Sequence, residues 1–164
     1  MTKLFFALFL LAASAGSAAA HGDISKLPDS VQIMQYQMLL YMDPSDAPTK
    51  NSLGMAYFRT GKLAEAAAEL EGVLKKDPNN FDALDGMGVV LLKQKKTDEA
   101  MKYLERALAV NDKDALLHAH LSVGYEQLNK PEQAAAALKK AGELAPSPEG
   151  AAAVQKEMQL LTKS

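Results

Sequence analysis

Three histidines and eight methionines are the side chains of this sequence with most scope for metal chemistry; there is no cysteine. His118 and His120 are two residues apart. On a helix that is about 200° of rotation, so their rings point to opposite faces and cannot share one ion. One of the two is expected between helices and the other in solvent. His21, were the chain to begin there, would combine an imidazole with a free amine, a donor pair for copper. Met34, Met38 and Met42 recur every four residues. Such a thioether stripe suits monovalent copper or a flexible apolar packing face; the Leu and Tyr residues between them favour packing. Copper handling through His21 and methionine is therefore a minor reading, and no cofactor is expected.

Other chemistries lack their residues. Without cysteine there is no disulfide framework, thiolate zinc site or Cys nucleophile. No G-x-S-x-G occurs, and no serine has a His–Asp pattern near it. Gly86-Met87-Gly88 lacks the remaining glycine of a phosphate loop and falls within a helical stretch. Asp82 and Asp85 form a spacing common at helix starts. Lys93, Lys95 and Lys96 make a small basic cluster at a turn, diluted by acidic neighbours. A net charge of -2 gives no electrostatic footprint for nucleic acid. An enzyme is not expected.

The elements that must position these residues are helical. The sequence holds 28 Ala and 24 Leu against seven Val, two Ile and five Thr, an all-α balance. Residues 1–20 read as a secretory leader: Lys3, ten apolar residues from Leu4 to Ala13, then small residues ending Ala18-Ala19-Ala20. Cleavage is expected after Ala20, leaving a product in the periplasm or the medium. The apolar run falls short of the roughly 20 residues needed to cross a bilayer, and no later run could do so, so no transmembrane segment is expected after leader removal.

A period organises the rest. Leu53-Gly54, Tyr57, Ala66, Leu70 and Pro78 return 34 residues later as Met87-Gly88, Leu91, Ala100, Leu104 and Asp112, and again as Leu121-Ser122, Tyr125, Ala134, Leu138 and Pro146. Three units follow without insertion or deletion: 47–80, 81–114 and 115–148. Each holds two amphipathic stretches joined by a short turn. The small residues at Gly54, Gly88 and Ser122, and at Ala66, Ala100 and Ala134, allow close helix approach. This pattern resembles the tetratricopeptide repeat family, whose period and L-G-x2-Y…A-x3-F…P signature it follows. It departs at the usual Trp position (Lys50, Leu84, His118), at Asp112 for Pro, at Lys95 for a turn Gly and at Ser122 for Gly. The resemblance implies an all-α, right-handed superhelix of helix–turn–helix repeats.

The ends differ. Residues 149–164 form an expected C-terminal capping helix, as repeat arrays require. At the other end, 21–46 contains a loose lead-in and a helix over 31–42. Pro44 lies 34 residues before Pro78, so that helix is the second of a truncated repeat. Nine of its twelve residues are apolar, more than one buried face needs. Met34, Met38, Tyr41 and Met42 are the candidate oligomer or docking face.

The resemblance also implies a concave groove lined by first helices and used to bind peptides or helices. By repeat position it is lined by Asn51, Met55, Phe58 and Arg59; by Asp85, Val89, Leu92 and Lys93; and by Ala119, Val123, Glu126 and Gln127. Met55, Val89 and Val123 make an apolar row; Arg59, Lys93 and Gln127 make a polar one. The carboxylate clamp of some members is not matched, since only Asn51 has the right type at its position. The groove is either open to a partner or filled by the capping helix or a second copy. The resulting expectation is an exported adaptor that binds a protein or peptide partner in the cell envelope. Its rivals are a structural scaffold self-associating through 31–42 into a homo-oligomer, and the copper reading.

Overall fold

A computed structural model describes residues 23–162 of the chain. The expected leader and His21 lie outside the described residues. A single 3-10 turn, Ile24–Lys26, is followed by eight helices: α1 (Asp29–Met42), α2 (Ala47–Arg59), α3 (Leu63–Leu74), α4 (Phe81–Lys93), α5 (Thr97–Val110), α6 (Ala115–Gln127), α7 (Pro131–Leu144) and α8 (Pro148–Thr162).

The helices begin where local chemistry starts them. Asp46, Asn80 and Asp114, spaced by 34 residues, each accept a hydrogen bond from a backbone N–H three residues on, at 3.0, 3.1 and 2.9 Å. These caps satisfy donors that α2, α4 and α6 would otherwise leave orphaned. The turns before them are also periodic: Asp43, Asp77 and Asn111 accept from the N–H two residues later, the Asx turn that these side chains favour. Within each hairpin the chain reverses through one left-handed residue, Gly61 (φ 77°), Lys95 (φ 61°) or Asn129 (φ 55°). Glycine adopts this conformation freely, whereas lysine does so at a steric cost.

Packing explains the small residues. A Cβ on Gly88 would overlap the side chain of Leu104. At the same position in the next hairpin Ser122 is fully buried, and its hydroxyl donates to the Ala134 carbonyl at 2.9 Å. One continuous core runs through the hairpins, with Leu53, Leu70, Leu84, Leu92, Leu104 and Leu117 all essentially inaccessible. The first helices α2, α4 and α6 touch in series along one wall, and α3 and α5 each bridge to the first helix that follows.

Both ends depart from this regularity. Subtracting 34 from Ala66 gives Gln32, a long polar residue where the other hairpins bury alanine. Gln32 is itself buried. Its amide donates to the carbonyls of Leu27 (2.7 Å) and Ser25 (3.1 Å), and its oxygen accepts from Arg59 of α2 at 2.8 Å. The lead-in turn thus lies beside α1 where a first helix would lie. At the other end α8 leans away from α7. It rests mainly on α6 and reaches α4, across the wall of first helices. Its apolar face supplies the reason: Val154 packs with Ala119 and Ala141, and Leu161 joins the main core.

Candidate functional site

The wall formed by α2, α4 and α6 carries the groove residues, which divide into buried and accessible sets. Val89, Leu92, Ala119 and Val123 are buried. Phe58 is buried in the core as well, while Glu126 is exposed to solvent. Of the apolar row, Met55 alone is partly accessible. The polar row is tied to neighbouring elements. Arg59 donates to Asp29 of α1 at 2.7 Å. Lys93 donates to the Leu160 carbonyl of α8 at 2.8 Å, where a cation also opposes the negative end of that helix. Gln127 accepts from the Thr97 hydroxyl at 2.6 Å and donates to the Leu92 carbonyl at 3.3 Å. Asn51 is buried; its Nδ2 donates to Asn80 at 2.9 Å and its Oδ1 has no partner.

What remains open is a cleft of about 910 Å³ between the lead-in and α1, α2, and α8. Tyr36, Met55, Leu116 and Leu160 give it apolar walls, with Asp82 and Lys156 among its charged groups. The Asp82 carboxyl is held above its ordinary pKa by partial burial and by the charges of Asp85 and Asp114.

Beside this cleft lies a buried ionic cluster that the sequence reading missed. His120 of α6 is 2% exposed. Its Nδ1 is 2.7 Å from Asp85 Oδ1 on α4, and its Nε2 is 3.7 Å from Glu157 Oε1 on α8. The second distance is too long for a hydrogen bond, so Glu157 acts on the ring by charge. Burial on its own pushes an imidazole towards neutrality. The Asp85 charge and hydrogen bond, aided by Glu157, outweigh it and raise the pKa to about 10. At neutral pH His120 is an imidazolium between two carboxylates, joining three helices. Asp85 was legible as a groove residue one repeat upstream of position 119; Glu157 was not, because nothing local to α8 points to position 120. His118 bonds through Nε2 to the Asp112 carbonyl at 2.9 Å, so each described histidine already has a protein partner.

The outer face of α1 is a second candidate. Met34, Met38, Tyr41 and Met42 are 62, 68, 90 and 80% exposed. Residues 34 positions later are Ala68, Gly72, Lys75 and Lys76. Solvent-facing positions that are small or charged in the following hairpin are therefore large and apolar here.

Comparison with known proteins bears on what such a wall does. The family described as tetratricopeptide repeat matches over residues 57–122 and 91–157, together more than half of the chain. The chain belongs to the tetratricopeptide repeat family. BBSome complex member bbs-4 of Caenorhabditis elegans is 31% identical over 114 residues, covering 70% of this chain and 25% of that protein. Cellulose synthase operon protein C of Komagataeibacter xylinus is 33% identical over 72 residues, covering 44% of this chain and 6% of that protein. The chain thus spans a quarter or less of the length of these relatives. Among solved structures, that of a thermophilic tetratricopeptide repeat protein in Thermus thermophilus superposes with a TM-score of 0.69 at 20% identity, over 81% of this chain and 72% of that one, a likeness of fold alone. Tetratricopeptide repeats imply protein–protein interaction, and the fold is typically a non-catalytic module. Among the described residues of this repeat protein, no helix is long and apolar enough to cross a membrane.

Proposed function

We propose that this protein is an exported adaptor of the cell envelope that captures a protein segment in the concave groove of residues 47–148. The observation that carries this reading is the cleft of about 910 Å³ beside Met55. It borders the wall of first helices, with the lead-in, α1 and α8 on its other sides, combines apolar walls with charged groups, and falls in the size range of ligand clefts. The leader pattern of residues 1–20 supports export to the periplasm or medium. In this reading a partner inserts an apolar anchor against Met55, Tyr36 and Leu116. Capture from envelope extract with the mature chain as bait tests it. Met55→Lys is expected to abolish capture while the melting temperature stays within a few degrees of wild type, because Met55 is only partly buried. Undiminished capture by Met55→Lys overturns the groove assignment.

A second reading rests on the α1 face. Four large apolar side chains in solvent on one helix are a docking surface more often than an accident. Self-association through Met34, Met38, Tyr41 and Met42 would make the protein a structural scaffold. Light scattering at increasing concentration distinguishes the two: a strict monomer excludes the scaffold and leaves the adaptor.

A further inference from the structure

We propose that α8 occupies the place of a partner helix on the concave wall, so that the α4/α6 surface is a docking site for an amphipathic helix of a protein partner that presents a carboxylate to His120. Three observations carry this beyond the groove reading on which it rests. First, α8 departs from the stacking of the array: it rests mainly on α6, touches α4, and meets α7 only at its edge, through Val154 beside Ala141. Second, its apolar hold is one short stripe. It buries Val154 and Leu161, with Met158 and Leu160 partly buried against the core, whereas α4 beneath it buries nine residues. Third, its polar contact with the wall is poorly made. His120 Nε2 and Glu157 Oε1 are both buried and lack a hydrogen bond, 3.7 Å apart, although an imidazolium and a carboxylate in contact would close to about 2.8 Å. The wall therefore offers a buried cationic donor that α8 satisfies by charge but not by bonding.

The pattern of α8 defines the partner. Val154, Glu157 and Leu161 fall at i, i+3 and i+7, one face of a helix. A competing helix needs apolar side chains at the first and last positions and Asp or Glu between them, and one residue position of freedom lets its carboxylate reach Nε2 directly. Asp85 already neutralises the other side of the ring, so a neutral residue in the partner leaves the outer nitrogen unbonded, and a basic one repels it.

The test uses the full chain and a labelled synthetic peptide with the sequence of residues 148–162. Wild type, whose own α8 competes, is expected to bind it weakly. A Val154→Asp/Leu161→Asp variant, whose own α8 no longer docks, should bind it at least tenfold more tightly. A Glu157→Gln peptide should lose at least tenfold on that variant, and this loss should vanish when His120→Gln is added. Circular dichroism and melting establish that the array of α2 to α7 persists in each variant. A second opened variant, Lys93→Ala/Glu157→Gln, serves if the first does not fold. No binding to an opened, folded variant overturns the docking surface. Equal binding of the Glu157→Gln peptide overturns the role of His120 while leaving the Met55 cleft and the groove reading intact. A wild-type dimer that exchanges α8 between copies assigns the surface to a second copy and overturns the proposal as stated. Loss of envelope capture in Met55→Lys, by contrast, reports on the groove reading alone.

Discussion

The two ends of the array close it in opposite ways. At the N-terminal end α1 is held at its inner positions by a neutral and charge-assisted network, Gln32 with the lead-in carbonyls and Arg59 with Asp29, and turns its methionine and tyrosine face to solvent. At the C-terminal end α8 turns its apolar face inward, onto the wall of first helices, and meets it through a buried ion cluster. A stack of hairpins must end on a surface that its own period does not supply a neighbour for. The chain meets this once by lending that surface a turn, and once by folding a helix back over the first helices α6 and α4. Apolar surface is left over at the first end and covered at the second.

The largest test of this contrast removes the ion cluster. His120→Ala leaves the mostly buried Asp85 and Glu157 carboxylates facing each other without a cation (17 and 19% exposed), and should cost roughly 3 kcal/mol of unfolding free energy in urea titrations. The same cluster gives a pH signature. Because the folded-state pKa of His120 is raised from 6.5 to about 10, its stabilisation is complete below about pH 6.5, declines as pH rises, and is gone above about pH 10. A His120→Gln variant should lack that alkaline decline; an identical decline in both breaks the assignment of the cluster as the C-terminal clasp.

At the N-terminal end the expected loss is smaller. Gln32→Ala removes three hydrogen bonds and leaves the Arg59 guanidinium with Asp29 alone, a cost of about 1–2 kcal/mol. A loss equal to that of His120→Ala would mean the two ends are secured equally. The middle of the array supplies the yardstick: Lys95→Gly relieves a lysine held at φ 61° and should raise stability by about 1 kcal/mol, without altering either end. Smallest of all is Met34→Lys/Met38→Lys, within roughly 0.5 kcal/mol of wild type as a monomer because both side chains are exposed. Its effect should appear only in light scattering, as loss of any concentration-dependent growth in mass. Marked unfolding by this pair would show that the α1 face is covered by something folded onto it.

Legibility followed the range of the interaction. The hairpins could be read because each small residue, such as Gly88 under Leu104, answers a contact that recurs with the period. The helix caps at Asp46, Asn80 and Asp114 share that period, and Gln32 interrupts a column of alanines, but the sequence reading named neither. Register puts the rows named from the sequence on α2, α4 and α6, yet the accessibility of that wall was not legible, since it depends on where α8 turns. That turn is set by Val154 and Glu157 meeting α6 residues more than thirty positions away, a pairing with no local trace. Met55 stays partly accessible in the cleft that α8 borders.

Gln32 carries one more consequence, which concerns how long such an array can be. A further helix stacked ahead of α1 would need the row of space that Ala66, Ala100 and Ala134 leave for their own partners. In α1 that row is filled by an amide already committed to two backbone carbonyls and a guanidinium. With Gln32 in that row, α1 meets the lead-in turn at the position where the later hairpins keep an alanine. Grafting another hairpin ahead of α1 is expected to seat better with Gln32→Ala.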